Sequence, residues 1–144
     1  LSRNRNLSEV SFKNLSSLRK LHLYGCGITS LVISGLVELS DLNLSSNGML
    51  GRIDLSGCPK IKELYFDSDG CDLREVVLPE GNEAFPGIAR IRYSRDSEKR
   101  LIMEEYFDNK GRYVDHPGLG YAKKEIVYSE DGAEEKVLKA EELN

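Results

Sequence analysis

The apolar side chains of this sequence recur with a period of about 21 residues over its first two thirds. Phe12, Leu15, Leu18, Leu21 and Leu23 align on Ile33, Leu36, Leu39, Leu42 and Leu44, with every apolar position kept. Leu55, Cys58, Ile61, Leu64 and Phe66 make a third copy, so Leu21, Leu42 and Leu64 stand 21 and 22 residues apart. A fourth, degenerate copy resumes at Ile88, Ile91 and Tyr93, after a stretch holding Pro79, Gly81, Pro86 and Gly87 that reads as a loop. A repeat of this length predicts a solenoid, in which each turn buries its apolar side against the next.

Within one turn the alternation in Lys20-Leu21-His22-Leu23-Tyr24 has period two, which predicts a short strand with Leu21 and Leu23 inward and Lys20, His22 and Tyr24 outward. A single strand cannot bury its leucines. Stacking the copies as a parallel sheet does, at about 1.5–3 kcal/mol for each buried Leu. A second apolar group, Leu31 with Ile33 and Ile53 with Leu55, closes the core from the opposite wall; it is β-branched and short, which predicts extended or 3₁₀ backs rather than long helices. Asn47 or Cys26, at the strand ends, is expected to turn inward and satisfy backbone groups along the turn. With two residues inserted near Asp69, the run from Cys71 to Leu78 falls on the run from Cys26 to Ile33.

The pattern L-x-x-L-x-L-x-x-[N/C]-x-L, carried by Leu18, Leu21, Leu23, Cys26 and Ile28 and again by Leu39, Leu42, Leu44, Asn47 and Met49, resembles the leucine-rich repeat. The likeness spans about residues 7 to 94 and is closest to the short bacterial repeats of 21–22 residues. It implies an α/β-type right-handed superhelix with a short parallel sheet and mostly non-helical backs, over residues 1–95. It also implies that the concave face of that sheet is where a partner binds. No Asn or Cys stands at the matching place of the fourth copy, so the ladder is expected to end there.

Beyond residue 95 the pattern changes. Leu101–Phe107 runs into Asp108-Asn109-Lys110-Gly111, and Ala122–Tyr128 into Ser129-Glu130-Asp131-Gly132; both read as a strand entering a glycine-containing hairpin turn. This second, looser repeat is similar to the Y-D-x-x-G hairpin repeats of bacterial surface and toxin-associated proteins. The alternative is a small antiparallel sheet over residues 96–144 that caps the open end of the solenoid, where parallel-strand edges would invite aggregation. Residues 134–144 read as a final strand or a short helix.

Composition narrows the function classes. The net charge of −4 comes from 20 basic and 24 acidic residues that are interspersed, so neither a nucleic-acid footprint nor a membrane-surface patch is present, and no apolar run is long enough to span a bilayer. Cys26, Cys58 and Cys71 are odd in number and lack C-x-x-C spacing, and their register predicts buried free thiols. The two histidines have no nucleophile arrangement beside them; His116 lies in a Pro- and Gly-marked loop. The run from Asp67 to Asp72 is a poor calcium loop, lacking the distal Glu and the required Gly. The Asn-Leu-Ser tripeptides at Asn6, Asn14 and Asn43 follow from the repeat's composition and carry little information about glycosylation. No metal or cofactor is expected, and the sequence carries no catalytic constellation.

What is left is a surface. The outward positions form three rows in register: Lys20, Asp41, Glu63 and Arg90; His22, Asn43, Tyr65 and Arg92; Tyr24, Ser45, Asp67 and Ser94. Packing does not demand these side chains, and Tyr24, Tyr65, His22 and Arg92 are of the kinds enriched at interface centres. The sequence therefore predicts a non-enzymatic module that binds a protein partner on the concave face through Lys20, His22, Tyr24, Asp41, Asn43, Glu63, Tyr65, Asp67, Arg90 and Arg92. The expected setting, taken from the resemblance, is a secreted or cell-surface protein. The alternative is a structural spacer or cap of a longer repeat protein, with self-association through an uncapped N-terminal edge around Leu7, Val10 and Leu15.

Overall fold

A computed structural model describes residues 7–67 and 70–144. Seven short strands make the solenoid: β1 (Glu9–Lys13), β2 (Lys20–His22), β3 (Ser30–Ser34), β4 (Asp41–Asn43), β5 (Arg52–Asp54), β6 (Glu63–Tyr65) and β7 (Glu75–Val77). They wind as a β-solenoid of about three turns. Strands β2, β4 and β6 form a three-stranded parallel sheet, with Lys20 beside Asp41 and Glu63, Leu21 beside Leu42 and Leu64, and His22 beside Asn43 and Tyr65. That register is the one the 21- and 22-residue spacings require. The second wall holds β1 paired with β3, and β5 paired with β7, both in parallel.

The core between the walls is built from the aligned leucines and isoleucines: Leu21, Leu23, Leu42, Leu44, Ile53, Leu55 and Val76 are all buried. Cys26, Cys58 and Cys71 are buried free thiols, as their register predicts. Gly25 (φ 63°) and Gly27 (φ 70°) flank Cys26 in the left-handed region, and this tight turn points the thiol inward. Asn47 is buried in the corner of the neighbouring turn. Its Oδ1 accepts from the N–H groups of Cys26 (3.1 Å) and Ile28 (3.0 Å), and its Nδ2 donates to the carbonyls of Leu23 and Leu44 (both 2.8 Å). One carboxamide thus satisfies backbone groups of two successive turns.

Two expectations need correction. The solenoid has extended backs on every described turn, so the α/β label does not describe it; the helix found among the described residues is α1 (Ala140–Leu143), at the far end of the chain. The fourth copy also takes another course. Its strand β8 (Arg90–Arg95) lies antiparallel to β7, with Arg92 opposite Glu75 and Arg90 opposite Val77, instead of parallel to β6. Arg90 and Arg92 are therefore absent from the three-stranded sheet. The inward pattern of this copy holds, since Ile88, Ile91 and Tyr93 are buried, but alternation says nothing of strand direction. The direction is set by the loop from Pro79 to Gly87, which reverses the chain after β7. Its buried Asn82 donates to the carbonyls of Pro59 (2.9 Å) and Ile61 (2.8 Å) and accepts from Ala84 N–H (2.9 Å). Tyr93 then packs edge-on against Phe66, with ring centroids 5.7 Å apart.

From β8 the chain continues into β9 (Leu101–Phe107), β10 (Lys123–Ser129) and β11 (Gly132–Leu138), all antiparallel to their neighbours. Together they make a six-stranded sheet in the order β11-β10-β9-β8-β7-β5. The C-terminal strands therefore extend the back wall itself. The expected domain limit at residue 95 falls inside this sheet, at the irregularity between Ser94 and Arg95. Both glycine turns form where the sequence places them: β10 and β11 are a hairpin closed at Ser129 and Gly132, and Phe107 bridges to Tyr113 across the Asp108–Gly111 turn. The last residues supply both of the elements expected of them, most of β11 and then α1.

One row of side chains crosses five of these strands. Arg52 stands opposite Glu75, Glu75 opposite Arg92, Arg92 opposite Glu105, and Glu105 opposite Lys123. Charge alternates at every step, and opposite charges directly across strands stabilise a register. Glu75 also pairs with Arg52 (2.9 Å) and Arg90 (3.3 Å), and the guanidinium of Arg92 stacks over Phe107 at 4.9 Å. At the other end of the molecule, β1 and β2 are edge strands; Leu15 is exposed, and Leu7, Val10 and Phe12 are half-buried.

Candidate functional site

The three-stranded sheet holds eight of the ten expected site residues at or beside its strands: Lys20, His22, Tyr24, Asp41, Asn43, Glu63, Tyr65 and Asp67. Period-two geometry puts their side chains on the face away from the leucines. Tyr24 and Tyr65 are 40% and 50% exposed, more than any other Tyr or Phe of the described residues. Strand β6 is the last of its sheet, so no further strand covers Tyr65 and its neighbours, and Leu64 remains only half-buried.

The charges on this face partly hold one another. Lys20 Nζ lies 3.3 Å from Asp41 Oδ1, and Ser40 Oγ donates to Asp41 Oδ2. The Ser40 hydroxyl, followed by Lys20, keeps the Asp41 carboxyl below its ordinary value. Tyr65 Oη donates to Glu63 Oε2 (3.0 Å), and that bond holds the phenol proton on, raising its pKa. Asn43 Oδ1 accepts from Ser45 N–H (3.0 Å), and Asp67 Oδ2 accepts from Ser46 N–H. The face thus offers two aromatic rings set among one cation, four carboxyl and amide groups, and His22.

A cleft of about 540 Å³ opens where the chain enters β4 and β6, lined by Arg19, Glu38, Ser40, Lys60, Lys62 and Asn82. Lys60 and Glu38 form an ion pair across it, and the Lys60 ammonium holds the Glu38 carboxyl below its ordinary value. No repeat position signals this cleft, because Asn82 enters it from the loop that interrupts the repeat.

Arg90 and Arg92 belong to the six-stranded sheet, where each already has a partner in Glu75 or Phe107. His116 is a loop residue, as expected. Its Nδ1 accepts from the N–H groups of Gly118 (3.1 Å) and Leu119 (3.2 Å), and its ring packs on Tyr106 at 5.0 Å. The central residues of the weak calcium loop, Ser68 and Asp69, lie outside the described residues, as does Asn6 of the first Asn-Leu-Ser tripeptide. Among the described residues no cluster of His, Cys, Asp and Glu is arranged to hold a metal, and no helix is long and apolar enough to cross a membrane.

Comparison with protein-family models, with curated proteins and with solved structures found no match to this chain.

Proposed function

We propose that this chain is a non-enzymatic protein-interaction module of leucine-rich repeat type, which binds a protein partner on its three-stranded parallel sheet. The observation that carries the reading is the pair of exposed rings, Tyr24 and Tyr65, on the face of the sheet opposite its buried leucines. Tyr is among the residues that dominate interface energetics, and two exposed tyrosines stand on one face of a small sheet. The flanking Lys20, Asp41, Asn43 and Glu63 would fix the register of a partner, and His22 stands beside Tyr24, in one row with Asn43 and Tyr65. Arg90 and Arg92 drop out of the proposed patch.

The spacer reading draws on a different observation: the Lys20–Asp41 ion pair and the Tyr65–Glu63 hydrogen bond tie parts of the face to itself. Capture experiments separate the two. The purified chain is used as bait in bacterial and host extracts beside Tyr24→Ala/Tyr65→Ala and Arg90→Ala/Arg92→Ala variants of matched thermal stability. The binding reading expects a protein retained by the wild type and the arginine variant and lost from the tyrosine variant. Equal capture by all three would move the site off this face, and capture by none would favour the spacer.

A further inference from the structure

Strand β11 is the free edge of the six-stranded sheet. It is seven residues long and exposed along nearly its whole length. The hairpin closes at Ser129 and Gly132 with two residues between them, so that pair and every second pair after it exchange hydrogen bonds with β10. The even-numbered residues of β11 therefore turn their backbone groups toward β10, consistent with the bond from Ala122 N–H to the Leu138 carbonyl. Ala133, Glu135 and Val137 turn theirs outward, each offering one donor and one acceptor. Apolar surface is exposed on both faces of the same hairpin, with Val137 53% and Val127 65% accessible.

We propose that β11 pairs with β11 of a second copy of this chain, antiparallel and across a twofold axis, extending the sheet through both molecules. The charge pattern selects both occupant and register. With Glu135 at the axis, all seven residues overlap. Ala133 then meets the second copy's Val137, and Glu134 meets its Lys136, each twice. The three outward residues fall opposite one another as hydrogen-bonded pairs. The two Glu135 carboxylates do meet across the axis, but at the wider spacing of a hydrogen-bonded pair, and each lies 3.8 Å from the ammonium of its own Lys124, which offsets their repulsion. Moving the axis to residue 134 or 136 brings Glu134 against Glu134 or Lys136 against Lys136, a like-charge contact at the closer, non-bonded spacing. The arrangement continues the alternation already present, because Lys136 sits across from Glu125 within the hairpin. Its charged edge resists unrelated apolar strands while being complementary to itself.

The test is sedimentation equilibrium of the full chain from micromolar to millimolar concentration, with three variants. Glu134→Lys sets like charges across the axis and is expected to weaken the dimer about tenfold or more. Adding Lys136→Glu to it restores the complementarity and should restore dimerisation. Glu135→Pro removes an outward N–H at the axis without taking a bond from β10, and should leave a folded monomer. A wild-type chain that stays monomeric throughout would overturn the proposal. So would a dimer that survives both single substitutions, which would instead place the contact elsewhere, as at the β1 and β2 edge.

Discussion

Asn47→Ala removes the carboxamide that ties two turns of the solenoid together at four backbone atoms. Asn47 is 4% exposed, so water has little access to the groups it leaves behind. Two N–H donors, on Cys26 and Ile28, lose this acceptor, and a buried donor deprived of its partner costs about 1–3 kcal/mol. The two carbonyls lose less, since an acceptor with two lone pairs tolerates partial satisfaction better. The donors alone give about 2–6 kcal/mol, a large share of a total of about 5–15 kcal/mol for a domain. Urea unfolding followed by circular dichroism reads the loss as a lower midpoint at unchanged slope. Asn43→Ala is the control, because Asn43 makes a single such bond at a solvent-facing turn, and it should cost under about 1 kcal/mol. If Asn47→Ala costs no more than Asn43→Ala, the claim that this corner is held by a side chain is wrong.

Asn82→Ala should behave like Asn47→Ala, destabilising by about 2–4 kcal/mol, since it leaves the N–H groups of Ala84 and Phe85 without their acceptor and releases the reversing loop from the Pro59 and Ile61 carbonyls; a loss below about 0.5 kcal/mol would show the loop to be held otherwise. Cys58, whose thiol is pushed up to about 11 by burial, should not react with a thiol reagent at pH 8 until denaturant unfolds the chain; labelling at the rate of a fully exposed thiol would contradict the buried core. Glu75→Lys should destabilise more than Glu75→Gln, and the difference should shrink in high salt, because the charge ladder sets cations on three sides of this residue. Burial against Tyr106, outweighing the pull of Glu104, holds His116 below its ordinary 6.5. The unfolded chain therefore takes up the proton first, and stability should fall as pH drops from about 6.5 through the lowered folded value. His116→Asn, which keeps an acceptor in place of Nδ1, should flatten the curve over that range. Below it the carboxylates held low by hydrogen bonds, Asp54, Asp96 and Asp108 among them, lose their contribution as pH falls through their depressed values.

The register of the three-stranded sheet is legible in the sequence because each turn repeats the same apolar spacing, and a slip of one residue would expose every leucine. The inward Asn47 and the three buried thiols are legible for the same reason. Strand direction is not. Ile91 and Tyr93 alternate identically whether β8 runs beside β6 or turns back along β7, and the choice rests on contacts that no repeat position signals, those of Asn82 with Pro59 and Ile61 and the pairing of Glu75 with Arg92. Arg52, Glu75, Arg92, Glu105 and Lys123 look like scattered surface charges until the pairing of five strands brings them into one row. The alternation thus outlines the candidate face, and adds to it two arginines that the fold places on the neighbouring sheet.

The measurement that bears most directly on the proposed face can be made before the partner is identified. A photoreactive phenylalanine analogue is placed at Tyr65 in one preparation and at Arg92 in another, and each is irradiated in the same extract. Binding on the three-stranded sheet predicts a discrete covalent adduct from position 65 that is absent from position 92. An adduct from position 92 alone, or the same adducts from both, would contradict it.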